Sequence, residues 1–260
     1  MTARRLGVIG AAGRMGRSII ALLPEFPHLQ LAAAVERSGH AALGETIGGV
    51  RLSDDLGAAL RAVEVVVDFS HADCSVELLR ACADANVACL IGTTGHGPTF
   101  SDALNAAARR IPVLQTANTS AGVNVLLSLV RQAARSLPDF DIEIVEAHHR
   151  HKLDAPSGTA LALGRAAAEA RGADFERLRA GAREARAPRR GGEIGFASLR
   201  GGDIAGDHTV VLAGIGERLE LKHQATDRSV FARGALRAAA WLVERPAGCY
   251  SMADVFSLKT

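Results

Sequence analysis

Five short apolar runs in the first half of the chain restrict its fold more than any other feature. They are LGVIG (6–10), LAAAVE (31–36), VEVVVDF (63–69), VACLIG (87–92) and IPVLQTA (111–117). They are often β-branched and carry little polar alternation, which is the pattern of strands buried on both faces. Helical stretches lie between several of them, at 14–23, 72–85 and 98–110, and Pro98 suits a first helical position. Strand–helix–strand alternation predicts a parallel sheet with helices on both sides. The stretch 38–62 is Gly-rich and irregular at first, then helical from Ser53–Asp54, a pair of N-capping residues.

The second half changes character. Helices are predicted at 122–137, 156–170 and 229–243, the second with Pro156 in its first turn. Strands are predicted at 141–147, 194–200, 208–213 and 217–224, with a charged, Gly-rich loop region at 171–192. The fold class this implies is α/β: a Rossmann-type doubly wound parallel sheet domain plus a second α/β domain with a mixed sheet.

With 48% hydrophobic residues in 260, the chain is globular and long enough for one large domain or two small ones. A net charge of +2 and 4% aromatics argue against a nucleic-acid or membrane partner. The N-terminal MTARRLGVIG runs straight into a strand, and no apolar window reaches transmembrane length, so a cytoplasmic protein is expected. Cys74, Cys82, Cys89 and Cys249 form no C-x-x-C pair. They read as small buried hydrophobes in a reducing compartment, with no structural zinc.

GVIGAAGRMGRSII places Gly10, Gly13 and Gly16 between an apolar run and a helical one. The first βα turn of a dinucleotide fold needs a tight turn, close approach of backbone to pyrophosphate and close helix–strand packing, and glycine meets each need. The helix start then offers N–H groups and positive dipole to phosphates. Here the spacing is G-x-x-G-x-x-G rather than G-x-G-x-x-G, so position along the chain carries the reading. Glu36 ends the second run, about 20 residues on, where an acid binds adenosine ribose hydroxyls. Arg37 follows and suits a 2′-phosphate, so NADH and NADPH both stay open as cofactor; the plainer alternative is a surface ion pair. Three more strand ends carry small polar clusters, DFSH (68–71), GTTGHG (92–97) and TANTSAG (116–122). Ligands of open parallel sheets lie beyond such ends.

EAHHRHKLDAPSGTA (146–160) packs His148, His149, Arg150, His151 and Lys152 into consecutive positions. As a metal nest it is poor, because Arg150 and Lys152 would repel a divalent cation. The chain has only three lysines, at 152, 222 and 259, and otherwise uses arginine. Lys152 is therefore a candidate for chemistry that arginine cannot do, namely releasing a proton. Ser157, Gly158 and Thr159 expose N–H groups at a helix start, a second anion site beside the cationic run. Two adjacent anion sites suit a dicarboxylate, and His and Lys add proton donors for a reduction. A solvated basic loop is the plain alternative, and it leaves the adjoining PSGT unexplained.

GAAGRMGR, VDFSH, GTTGHG, ANTSAGVNV, EAHHRHKLDAPSGTAL, GEIGFASLRGGDIAGDHTV and GERLELKHQATDRSVFARGALRAAAWL, in this order, resemble the 4-hydroxy-tetrahydrodipicolinate reductase family (dihydrodipicolinate reductases) over nearly the whole chain. The resemblance implies NADH- or NADPH-dependent reduction of a dihydrodipicolinate-type cyclic imine to tetrahydrodipicolinate, in the diaminopimelate route to lysine. It implies a small-molecule dicarboxylate substrate and a homotetramer built through the second domain. The nucleotide domain would be 1–118 completed by 229–260, and the substrate-binding and oligomerisation domain 119–228. Carried onto matching positions, His148 would be the general acid/base and Lys152 the second proton donor. His149 would contact substrate, and Gly158 with Thr159 would bind a carboxylate. Gly10, Ala11, Ala12, Gly13, Arg14 and Met15 would cradle the pyrophosphate, with Glu36 and Arg37 at the adenosine ribose. Gly92, Thr93 and Thr94, and Ala117, Asn118, Thr119 and Ser120, would flank the nicotinamide. The chain departs from the family at Thr119, where a bulkier Phe or Met is common, at His96, where Phe is common, and in DFSHAD, which lacks the frequent Pro after the basic position. All three bear on the choice of coenzyme. Two rivals lie outside this reading: a nicotinamide oxidoreductase acting on a sugar or a semialdehyde, and a nucleotide-sensing regulator.

Overall fold

A computed structural model describes residues 2–181 and 188–258. They fall into two compact units, Met1–Ala121 with Ser229–Thr260, and Gly122–Arg228.

In the first unit β1 (Arg4–Ile9), α1 (Arg14–Leu22) and β2 (Leu29–Val35) form a parallel βαβ start. A two-stranded hairpin, β3 (Thr46–Ile47) and β4 (Val50–Ser53), follows. Then come α2 (Leu56–Ala62), β5 (Val65–Asp68), α3 (Ala72–Ala85), β6 (Ala88–Ile91), α4 (Phe100–Ala108) and β7 (Pro112–Gln115). The sheet runs β7-β6-β5-β1-β2-β4-β3 from one side to the other, and only the β3–β4 pair is antiparallel.

The valines of β5 show why the apolar runs carry no polar alternation. Val65 and Val67 join one core with Leu6, Val8 and Leu90; Val66 joins the other with Leu79, Ile91 and Val113. Each residue of such a strand has a buried side to fill. Helices α2, α3 and α4 cover the second core.

The other unit begins with α5 (Ala121–Ser136) and β8 (Asp141–His148). It continues through α6 (Gly158–Ala170), α7 (Phe175–Leu178), β9 (Ile194–Arg200), β10 (Gly206–Ala213) and β11 (Arg218–Ala225). Its sheet is mixed, in the order β11-β10-β8-β9, with β8–β9 parallel and the other pairs antiparallel. Leu126 and Val130 of α5 and Leu163 and Ala167 of α6 pack on one face, against Ile142, Ile144, Val210 and Leu212. The chain then returns to the first unit with α8 (Ser229–Leu242), β12 (Gly248–Tyr250) and α9 (Met252–Val255). β12 extends the large sheet beside β7, and α8 with α1 covers the first core.

Several sequence expectations are corrected. Pro98 lies in a turn closed by Phe100 N–H to Gly97 carbonyl, and α4 starts only after Thr99. The N-cap of α2 is Asp55, whose carboxylate accepts from Ala58 N–H, while Ser53 ends β4. Pro156 precedes the cap of α6, which is Ser157. Gly48 and Gly49, at φ +59° and +83°, turn the hairpin inside a stretch expected to be irregular. The helical turn α7 lies within the expected 171–192 loop, of which 182–187 falls outside the described residues. Of the four cysteines expected to be buried, Cys82 and Cys89 are, and Cys74 and Cys249 are exposed. Among the described residues no helix is long and apolar enough to cross a membrane, and no group of His, Cys, Asp and Glu could hold a metal ion.

Candidate active site

In the first unit the glycine turn joins β1 to α1. Gly10 has φ +75°, and a Cβ there would sit 2.7 Å from the Phe69 carbonyl oxygen. A Cβ on Gly16 would come within 2.3 Å of the Gly10 carbonyl, so α1 packs directly on the turn. Gly13, the N-cap of α1, supplies no side-chain cap, and the first turn carries no acidic residue. Such a helix start suits a phosphate, so these residues fit the pyrophosphate of a dinucleotide. The Glu36 carboxylate accepts hydrogen bonds from Ala12 N–H at 3.3 Å and Arg37 N–H at 3.1 Å. The acid and the glycine turn are thus brought together, and Arg37 is exposed beside them.

A cleft of about 610 Å³ is lined by Arg14, Met15, Phe69, Ser70 and residues 92–95, among others. Of the residues expected at the nicotinamide, Gly92, Thr93 and Thr94 line it. Residues 117–120 make a different kind of turn. Ser120 N–H donates to Asn118 Oδ1, and the buried Thr119 donates its hydroxyl to the Phe231 carbonyl of α8 at 2.6 Å. Thr119 is therefore turned toward α8. His96 stacks on Phe100 with ring centroids 3.6 Å apart and meets Ser75 Oγ at 3.1 Å.

Beneath the cleft lies Asp68, which is 0% exposed. It accepts from Ser70 N–H at 2.9 Å, Ser70 Oγ at 2.5 Å, Thr93 Oγ1 at 3.0 Å and Ser75 Oγ at 3.4 Å. Burial raises its pKa above the ordinary 3.8, and these hydrogen bonds only partly offset that.

In the second unit the basic run divides. β8 alternates, so Ile142 and Ile144 enter the core and Glu146 and His148 continue on the same face. His148 is 9% exposed and Glu146 1%. Arg150 and His151 are exposed in the loop beyond, and His149 and Lys152 are half-buried. Strand register then assembles a polar cluster: His148 pairs with Arg200 of β9, and Glu146 with Ser198 of β9 and His208 of β10. Arg200 forks onto Glu146, with Nη1 to Oε2 and Nη2 to Oε1, both 2.7 Å. His148 Nδ1 lies 2.6 Å from Glu146 Oε2, and Ser157 N–H donates to Oε1 at 3.2 Å. Burial would raise the Glu146 carboxyl, but hydrogen bonds from Arg200, Ser198 and His148 outweigh it and hold the group at about 2.

Ser157 Oγ caps Ala160 N–H and pairs with His208 Nε2 at 3.1 Å. Burial, reinforced by His148, lowers the His208 imidazole to about 4, so it is neutral at pH 7. The Ser157 N–H, expected to be open to an anion, is thus taken by the buried Glu146 carboxylate. Gly158 is exposed next to it and Thr159 half-buried. Lys152 Nζ donates to both oxygens of Asp154, at 2.8 and 2.9 Å. His149 Nε2 lies 2.9 Å from Arg228 Nη2, and burial and that guanidinium lower its pKa.

Asp68, Glu146, Arg200 and His208 were not among the residues singled out from sequence. The i, i+2 spacing of Glu146 and His148 on an alternating strand is the one local signal that pointed to any of them.

The strand order of the large sheet, with its glycine turn at the start of α1, defines the class: an α/β protein with a dinucleotide-binding fold. Residues 4–119 match the family described as dihydrodipicolinate reductase, N-terminus, and residues 122–256 match dihydrodipicolinate reductase, C-terminus. The chain belongs to the dihydrodipicolinate reductase family and is an oxidoreductase. It is 50% identical to the 4-hydroxy-tetrahydrodipicolinate reductase of Anaeromyxobacter dehalogenans strain 2CP-1, over 97% of each chain. It is 46% identical to the enzyme of that name from Halorhodospira halophila, over 97% of this chain and 98% of the other. A dipicolinate-bound dihydrodipicolinate reductase from Paenisporosarcina sp. TG-14 shares the fold, with TM-score 0.80 at 22% identity, over 97% of this chain and 99% of the other.

Proposed function

We propose that this protein reduces the dihydrodipicolinate-type cyclic imine, formed from 4-hydroxy-tetrahydrodipicolinate, to tetrahydrodipicolinate in the diaminopimelate route to lysine. The observation that carries this reading is the 50% identity, over 97% of both chains, to a reductase of that name. Residues 10–15 and Glu36 hold the dinucleotide, and Gly92, Thr93, Thr94 and 117–120 lie toward its nicotinamide end. Bound there, the dinucleotide supplies a hydride. Glu36 suits the free ribose hydroxyls of NADH and Arg37 the 2′-phosphate of NADPH, so both coenzymes serve.

Gly158 and Thr159 bind one carboxylate of the substrate and His149 contacts it, in a setting made cationic by Arg150 and Lys152. His148 delivers the proton through Nε2. That atom faces Gly206, where a Cβ would lie 3.1 Å away, so the missing side chain keeps its approach clear. Lys152 is the second proton donor. The face of the small sheet turned away from α5 and α6 carries Val145, Val211 and Leu199, the last 57% exposed. We place the contacts of a homotetramer there, and sedimentation should give four chains for the parent and fewer for Leu199→Glu.

The test is a coupled assay with the product of dihydrodipicolinate synthase as substrate, following oxidation of NADH and of NADPH. Turnover is expected with both. Lys152→Ala should lower kcat by about 10²–10⁴-fold and leave coenzyme affinity unchanged. Preference for a sugar or an amino-acid semialdehyde would overturn the reading.

A further inference from the structure

We propose that Glu146 is a positioning residue for the reduction: its carboxylate holds both the His148 imidazole and the backbone that opens α6, and so fixes the proton donor relative to the turn where the substrate carboxylate docks. This rests on the reading of His148 as proton donor and of Gly158 and Thr159 as the carboxylate site.

Glu146 is a fully buried anion, so its oxygens only accept. The hydrogen shared with His148 at 2.6 Å therefore belongs to Nδ1, which leaves Nε2 as the atom free to exchange a proton. Holding Nδ1 also stops the ring from flipping, as a buried carboxylate does for the imidazole of a hydrolase triad. The carboxylate itself cannot swing away. Arg200 grips both oxygens at 2.7 Å and is anchored in turn on the Asp154 carbonyl at 2.6 Å. Oε1 also receives Ser157 N–H, the N-cap position of α6, and the Ser198 side chain bonds the same carboxylate.

One rigid group thus sets two parts that must keep register during turnover. A buried ion pair serving stability alone would account for the Glu146–Arg200 contact. It would not account for the other acceptor directions ending on the imidazole and on the helix cap. His208 reinforces the same join from the far side, through Ser157 Oγ.

The experiment combines three variants with a spectroscopic reading of the parent. Glu146→Gln should lower kcat by about 10²–10⁴-fold, since an amide no longer dictates the imidazole tautomer, while the KM for coenzyme stays unchanged. Glu146→Gln/Arg200→Met removes both charges, so that no guanidinium is left unpaired, and should fold yet show the same loss in kcat. In the unmodified protein, ¹⁵N shifts of the His148 ring should report the Nδ1–H tautomer when neutral, a reading that needs no variant to fold. His148→Gln is run alongside. If it retains turnover, the proton-donor reading fails. If it collapses while the double variant folds and stays within about threefold of the parent, the Glu146 proposal alone fails. An Nε2–H tautomer in the parent likewise overturns it.

Discussion

Asp68 and Glu146 are both carboxylates buried near the C-terminal end of a strand, one in each unit, and burial acts on them with opposite net results. Asp68 is surrounded by the hydroxyls of Ser70, Ser75 and Thr93 and the Ser70 N–H, and its pKa stands above the ordinary value. Glu146 has the Arg200 fork and the His148 imidazole, and it stands at about 2. Desolvation heads the causes at both sites. The difference lies in the partners: neutral donors compensate part of the cost, whereas a bidentate cation reverses it. Asp68 gathers the loops 69–71 and 92–96 around a cleft, and Glu146 holds a guanidinium, an imidazole and a helix cap in place.

The largest effect that could break this contrast is on stability. Glu146→Ala leaves Arg200 without its partner and should cost about 3–5 kcal/mol, read from urea unfolding followed by circular dichroism. A loss below about 1 kcal/mol would mean that the pair is no stronger than a surface bridge.

The pH dependence of the parent comes next. Glu146 titrates at about 2 when folded against 4.5 ordinarily, so its contribution is complete above pH 4.5 and lost as pH falls toward 2. The whole is about 3 kcal/mol, and Glu146→Gln should flatten that acid limb. Asp68 carries the other sign. Its folded pKa is raised, so as pH climbs from the ordinary 3.8 through that higher value the unfolded chain ionises first and stability falls.

The smallest effect sharpens the comparison at neutral pH. Asp68→Asn removes a buried acid whose hydrogen-bond partners are neutral donors, and keeps most of the hydrogen-bonding geometry. Its stability should stay within about 1 kcal/mol of the parent by the same urea titration. A loss as large as that of Glu146→Ala would make the two carboxylates equivalent after all.

Much of the large sheet was legible because its strands are buried on two sides and need no partner pattern to be recognised. The helix at 72–85 was legible to the residue, and the structure ends it at Asn86, where the chain turns into the left-handed region. The hairpin around Gly48 and Gly49 was not, because two-residue and four-residue strands carry too few side chains to show alternation. The short α7, β12 and α9 escaped for the same reason. At the site, the chemistry of 146–160 was visible as composition, but its division was not. His148 belongs to a buried strand face and the other four basic residues to a loop, a distinction set by where β8 ends. Arg200 reaches Glu146 only through the β8–β9 pairing, and no local pattern reports a contact across that much intervening chain.

The cover that α8 provides has a consequence during synthesis. A ribosome releases Leu6, Val8, Val67 and Leu90 long before Ala235, Leu236 and Ala239, the groups that bury them. Until α8 has emerged, the nascent N-terminal sheet is a half-closed sandwich with an oily side. This protein is therefore exposed to chaperone capture, or to sticking to its neighbours, for most of its translation time, and a premature stop before residue 229 leaves that side without its α8 cover.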